Sequence, residues 1–122
     1  MYVFGGISIW QNTGNSSELN YEQCNDIWRL QLQSNASSWH LDHVGKSEAP
    51  SNRSEASAIT YKDQMILFGG ISYDTKQESR VPQDYNDLWS FDFKSKNWTQ
   101  LEIFGNRKPI SRFSHSTSVI TG

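Results

Sequence analysis

A single cysteine, Cys24, stands among the 122 residues, so no internal disulfide can form. One unpaired thiol suits a reducing compartment. No apolar run approaches the ~18 residues that a membrane-spanning helix requires. Met1 is followed at once by Tyr-Val-Phe-Gly-Gly, which has neither the basic start nor the long apolar stretch of a signal peptide. Charge of one sign is lacking too. Eleven basic and thirteen acidic residues are well mixed and leave a net −2, which gives no footprint for nucleic acid or anionic lipid. Gly-x-Ser-x-Gly is absent, and the serines have no base at recognisable spacing. His40, His43 and His115 show no metal-ligand spacing, and no cofactor motif appears. Helical periodicity of any length is missing as well. What the chain has in plenty is aromatics: five Trp, five Tyr and six Phe, gathered in short segments between polar loops.

Those segments repeat. Leu67-Phe68-Gly69-Gly70-Ile71-Ser72 echoes Val3-Phe4-Gly5-Gly6-Ile7-Ser8 at an offset of 64, and Asn86-Asp87-Leu88-Trp89 echoes Asn25-Asp26-Ile27-Trp28 at 61. Trp98 answers Trp39, Gly105 answers Gly45, and Pro109 and Arg112 answer Pro50 and Arg53, at offsets of 59 to 60. Landmarks in one order with nearly constant spacing mark tandem structural units.

Each unit reads as four short strands. Gln64 to Phe68 is an apolar run stopped by two glycines. Leu88 to Phe93, and Trp98 to Leu101, form two more, matched earlier by Ile27 to Leu32 and by Trp39 to Val44. Glu55 to Tyr61 and Phe113 to Thr121 form the fourth, rich in small residues. Four strands per period of ~60 residues predict an all-β chain of propeller blades, each a four-stranded antiparallel sheet.

Gly-Gly, then Asn-Asp-[Leu/Ile]-Trp, then Trp, Gly, Pro and Arg, resembles the kelch repeat. The second copy is the fuller match, since Arg112-Phe113-Ser114-His115 fits the family's Arg-x-x-His, whereas the first carries Ala56 in place of the histidine. With strands lettered a to d outward from the channel, residues 1–53 form blade 1 (strands b–d, with a long b–c loop over 7–24). Residues 54–112 form blade 2 (strands a–d, b–c loop 71–85), and residues 113–122 are strand a of the next or the first blade. Two blades cannot close a ring of about four to eight. The chain is therefore read as part of a larger ring. The remaining blades are supplied in cis or by oligomerisation, or the last strand folds back.

The paired glycines are expected to permit close backbone approach or positive φ. Trp28, Trp39, Trp89 and Trp98 are expected to pack between blades. Asp26 and Asp87 are expected to bond turn amides, and His115 to make a structural hydrogen bond.

The b–c and d–a connections share one face of the disc, where long loops on a rigid scaffold favour recognition. The resemblance implies partner contact by Arg53, Ser54 and Arg112, with holding of blade corners as the alternative for the two arginines. It points to a non-enzymatic protein–protein interaction module that binds a peptide or partner domain, with no cofactor and no metal. A fragment of an enzymatic or glycan-binding propeller, oxidase-like, is the alternative. Asn15, Asn35, Asn52 and Asn97 head glycosylation sequons. These keep an extracellular ectodomain beside the cytoplasmic reading that the lone thiol favours.

Overall fold

The computed structural model describes residues 1–11, 13–14, 19–43, 48–73 and 81–120. Nine strands lie among them: β1 (Tyr2–Gln11), β2 (Leu19–Gln31), β3 (Ser38–His43), β4 (Ser57–Tyr61), β5 (Gln64–Phe68), β6 (Ile71–Ser72), β7 (Gln83–Asp84), β8 (Leu88–Asp92) and β9 (Trp98–Gln100). They form an antiparallel sheet β1-β2-β3, a second of order β4-β5-β8-β9, and a two-stranded ribbon β6-β7. No helix occurs among the described residues. Blade 2 thus has its four strands, and blade 1 has strands b, c and d.

Register explains the core. Residues directly opposite in an antiparallel pair share a face. Met65 faces Phe91, Leu67 faces Trp89, and Phe91 in turn faces Trp98, so these five side chains form one surface of blade 2. Phe4 faces Ile27 in blade 1, and with Tyr2 they press onto that surface. Ile27 and Phe91 are wholly buried. The Phe4 ring meets Trp98 edge-on at 5.3 Å, and Tyr2 stacks on Phe93 at 4.2 Å. Each large apolar side chain buried this way contributes roughly 1.5–3 kcal/mol. The core is the seam between blades.

Local chemistry closes the turns on the rim opposite the b–c connections. Lys62, at φ 53°, turns β4 into β5. Beyond β8, the Asp92 carboxylate accepts the Lys94 and Ser95 amides at 3.0 and 2.6 Å. The Phe93 amide donates to the Asp63 carbonyl at 3.1 Å and ties the two turns together.

Three expectations differ from what is seen. Residues 7–11 and 19–24, expected in a loop, continue β1 and β2 as a paired ribbon with register from Ile7↔Gln23 to Gln11↔Leu19. Polar residues interleaved with Ile9, Trp10 and Tyr21 disguised the strands. Of the residues expected in a final strand, 113–120 carry no strand, and 121–122 lie outside the described residues. A strand needs a ladder partner, and among the described residues no strand pairs with them. They run beside β4 instead, with Ser57 Oγ donating to Thr117 Oγ1 at 2.8 Å. Trp89 and Trp98 are buried in the seam as expected, whereas Trp28 and Trp39 are 37% and 50% exposed on the outer flank of blade 1.

Candidate functional site

The corner between the two blades is built from the repeat landmarks. Both glycine pairs take positive φ, 59° and 99° at Gly5-Gly6 and 70° and 104° at Gly69-Gly70. A side chain is excluded at the first of each pair for a second reason. A Cβ at Gly5 would fall 2.8 Å from the Arg53 carbonyl oxygen, and one at Gly69 would fall 2.6 Å from that of Arg112. Close approach and left-handed backbone both hold. It lets Gly6 N–H donate to the Arg53 carbonyl at 3.0 Å, and Gly70 N–H donate to the Arg112 carbonyl at 2.9 Å. Each d–a corner is therefore pinned to the root of its own blade's b–c ribbon. Asn25 and Asn86 repeat another tie, donating to the Pro50 and Pro109 carbonyls at 3.0 and 3.4 Å.

From that corner the Arg53 side chain crosses into blade 2. It is 1% exposed, and its guanidinium grips Asp87 with two bonds of 2.6 and 2.9 Å. Its other donors go to the Gly69 carbonyl, the Ser51 carbonyl and Ser51 Oγ at 3.0 to 3.2 Å. All five N–H groups that an arginine owns are thereby used. The Tyr85 ring lies 3.8 Å beneath the cation. Asp87 also accepts the Trp89 indole N–H at 2.8 Å, so one carboxylate orients both the arginine and the core tryptophan. Burial raises the Asp87 pKa, but hydrogen bonds from Arg53 and Trp89 outweigh it and hold the carboxyl below its ordinary value. Asp26 repeats the indole contact alone, accepting from Trp28 at 2.7 Å from a position inside β2. Side-chain partners thus stand where turn amides were expected for both aspartates.

Ser54 is 6% exposed, and its hydroxyl accepts from Gln23 Nε2 at 3.0 Å. Gln23 is the residue that sequence reasoning missed. It is 7% exposed and also donates to the Ile71 carbonyl and accepts the Tyr73 amide, at 3.0 and 2.6 Å. Nothing in the sequence flags it, because its partners belong to the other blade. A second unflagged tie joins the blades: Asp42, with its side chain 2% exposed, accepts from Arg29 at 2.9 Å and meets Lys96 of blade 2 at 3.2 Å. Burial raises its pKa, and these two cations outweigh that and lower it.

Arg112 sits at the surface, with Nε donating to the Ile110 carbonyl at 3.1 Å. His115 makes its structural bond, Nε2 lying 3.1 Å from the Phe68 carbonyl oxygen. Asn35, Asn52 and Asn97 are exposed, while Asn15 lies outside the described residues. Cys24 is held as a thiol: burial raises its pKa first, and Asp26 and Glu22 add to the effect.

Beyond the corner stands the β1–β2 ribbon. Ile7, Ile9, Leu19 and Tyr21 lie on one side of it, 45–69% exposed, and Trp10 lies on the other at 44%. The buried Gln23 anchors the ribbon's base to blade 2.

This arrangement, a three-stranded and a four-stranded antiparallel sheet packed face to face with corners pinned to diglycine turns, defines blades of a β-propeller. Residues 1–122 match the KLHDC2/KLHL20/DRC7 Kelch-repeats domain along their whole length, and the chain belongs to the kelch-repeat family. Kelch domain-containing protein 1 of Mus musculus is 28% identical over 134 residues, covering 98% of this chain and 31% of its own length. Kelch domain-containing protein 3 of Bos taurus is 30% identical over 105 residues, covering 86% of this chain and 25% of its own. The leucine-zipper-like transcriptional regulator 1 homolog of Drosophila melanogaster is 31% identical over 120 residues, covering 98% and 11%. The chain thus spans about a third of the length of the kelch domain-containing protein 1 relatives.

Proposed function

We propose that the chain is a non-enzymatic protein-binding module, and that its partner, a peptide or a folded domain, docks on the face carrying the b–c ribbons and d–a corners. The carrying observation is the β1–β2 ribbon, which holds Ile7, Ile9, Leu19 and Tyr21 exposed on one side of a paired double strand. Exposed apolar residues in one contiguous row are a signature of interaction surfaces. Large rigid side chains such as Tyr21 and Trp10 supply contact area at low entropic cost.

In this reading Arg53 and Ser54 act from within, because their donors and hydroxyl are spent on Asp87, Gly69, Ser51 and Gln23. They hold the ribbon's base and the corner in register. Arg112 has an exposed guanidinium on the same face as a contact for a carboxylate.

Site-specific photo-crosslinking tests the reading. A crosslinking amino acid at Ile9 or Tyr21 is expected to capture a discrete protein in cells expressing the chain. The same group at Lys62 or Ser95, on the opposite rim, captures none. Equal capture from both rims, or capture from Lys62 and Ser95 alone, overturns the assignment.

A further inference from the structure

Blade 2 has all four of its strands and shows how far strand a covers strand b. β4 pairs with β5 from Tyr61↔Gln64 to Ser57↔Phe68, and a last contact joins Ser54 to Ile71. There each residue donates its amide to the carbonyl of the other, both at 2.9 Å. Ile7 stands in blade 1 where Ile71 stands in blade 2. An inner strand placed as β4 is therefore reaches no further than Ile7, whereas β1 runs on to Gln11. The edge from Ser8 to Gln11 lies beyond the reach of the blade's own strands.

Backbone groups along a strand point alternately to its two sides. Those of Ile71 point inward to Ser54, and the shared register gives Ile7 the same direction. Two and four residues on, the N–H and C=O groups of Ile9 and Gln11 point that way too. Among the described residues no backbone group meets them, and β1 is the edge of its sheet. Open edges join to other strands, and proteins blunt them with lysine, proline or a bulge. Ser8-Ile9-Trp10-Gln11 has none of these, since the irregularity in β1 lies behind it, between Phe4 and Gly6.

The two faces beside this edge differ in chemistry. One shows the apolar side chains of Ile7, Ile9, Leu19 and Tyr21. The other shows Trp10 and the exposed Glu22, which stands across from Ser8. Residues 7–24 hold two carboxylates, Glu18 and Glu22, and neither lysine nor arginine.

Resting on the binding face assigned above, we propose that the edge of β1 takes an antiparallel strand from the partner, an extended segment in which apolar residues alternate with lysine or arginine. Antiparallel is the sense of every described pairing in the chain. The partner residue directly opposite Ile9 exchanges both backbone hydrogen bonds with it and lays its side chain on the Ile7–Tyr21 face. That residue is therefore apolar. Its neighbours turn to the other face, where a cation meets the Trp10 ring and the Glu22 carboxylate. Main-chain bonds supply the hold, and the alternating side chains supply the selection.

A fluorescent heptapeptide of alternating lysine and valine, with lysine at both ends, tests this by anisotropy on the intact chain. It is expected to bind, and a peptide with glutamate in place of lysine to bind about tenfold more weakly or worse. N-methylation of the peptide separates strand pairing from simple contact and leaves the protein untouched. Methyl groups on the valine nitrogens remove the donors that face β1 and are expected to abolish binding. On the lysine nitrogens, which face away, they leave affinity unchanged. Ile9→Pro removes an N–H that β2 does not use, and is expected to weaken binding about tenfold. Lys62→Gln, on the opposite rim, changes nothing. A lysine–valine peptide that does not bind, a glutamate–valine peptide that binds as well, or equal effects of the two methylation patterns overturns the inference. Should crosslinking from Ile9 or Tyr21 still capture a protein in that event, strand pairing alone falls and the binding face stands. Loss of that capture removes the face itself.

Discussion

Arg53 does at the scale of one residue what the repeat requires at every corner. Its backbone belongs to blade 1 and its side chain to blade 2, so no substitution can keep one tie and lose the other cheaply. A buried charge stripped of its partner costs far more than an exposed pair returns. Arg53→Gln is expected to lower stability by about 3 kcal/mol, read as a fall in the urea midpoint with little change in slope. The pH profile gives the same residue a second reading. Asp87 is held below its ordinary value of 3.8, so its contribution is fully present above that pH and drains away as pH falls toward the lowered folded-state value. Removing Arg53 takes away the main cause of the depression, and the variant is expected to lose less additional stability between pH 5 and pH 3, values chosen to bracket the carboxylate range. Equal slopes for both proteins would show that Asp87 is not paired in solution. The pairing was open to inference from the sequence, since Arg and Asp are both repeat landmarks. What spacing alone does not give is that the arginine of one unit meets the aspartate of the next.

At the scale of elements, the glycine turns decide where strands end and corners dock. Gly69 combines a φ of 70° with a Cβ position 2.6 Å from the Arg112 carbonyl oxygen and 2.7 Å from the His115 ring. Gly69→Ala is expected to cost about 2 kcal/mol, combining left-handed strain with displacement of that corner. Gly14→Ala meets nothing within 4 Å and is expected to leave the thermal midpoint unchanged. Comparable losses at both positions would contradict this account of the diglycine. Strand b of blade 2 was readable residue for residue as Gln64–Phe68, because an apolar run ends on two glycines there. The β1–β2 ribbon was not. Its apolar and polar residues do alternate, but Trp10 beside Ile9 breaks the pattern and the polar stretch 11–18 interrupts it, so the whole reads as one long connection. The last segment, rich in Ser and Thr, has the composition of strand a, yet composition cannot supply the neighbour that would make 113–120 a strand.

At the scale of the molecule, two units that look independent in sequence share one core. Ile27 of blade 1 is buried by Leu67, Trp89 and Phe91 of blade 2, while Gln23, Arg53 and Asp42 tie the two together at the rim and the edge. Four repeated tryptophans suggested four buried ones. Two are buried and two are exposed, because blade 1 covers the tryptophan flank of blade 2 and no described residue covers its own. The binding face depends on this shared seam, since the ribbon is fixed at its base by Gln23 and by the Gly6–Arg53 corner. Hydrogen exchange followed by mass spectrometry tests that dependence most directly. The account predicts that amides of β2 around Ile27 and of β5 and β8 around Leu67 and Phe91 are protected to the same degree and open together. It predicts that Arg53→Gln lowers protection in both blades at once. Rapid exchange across β2 while β5 and β8 stay protected, or an Arg53→Gln variant that loosens one blade alone, would contradict it.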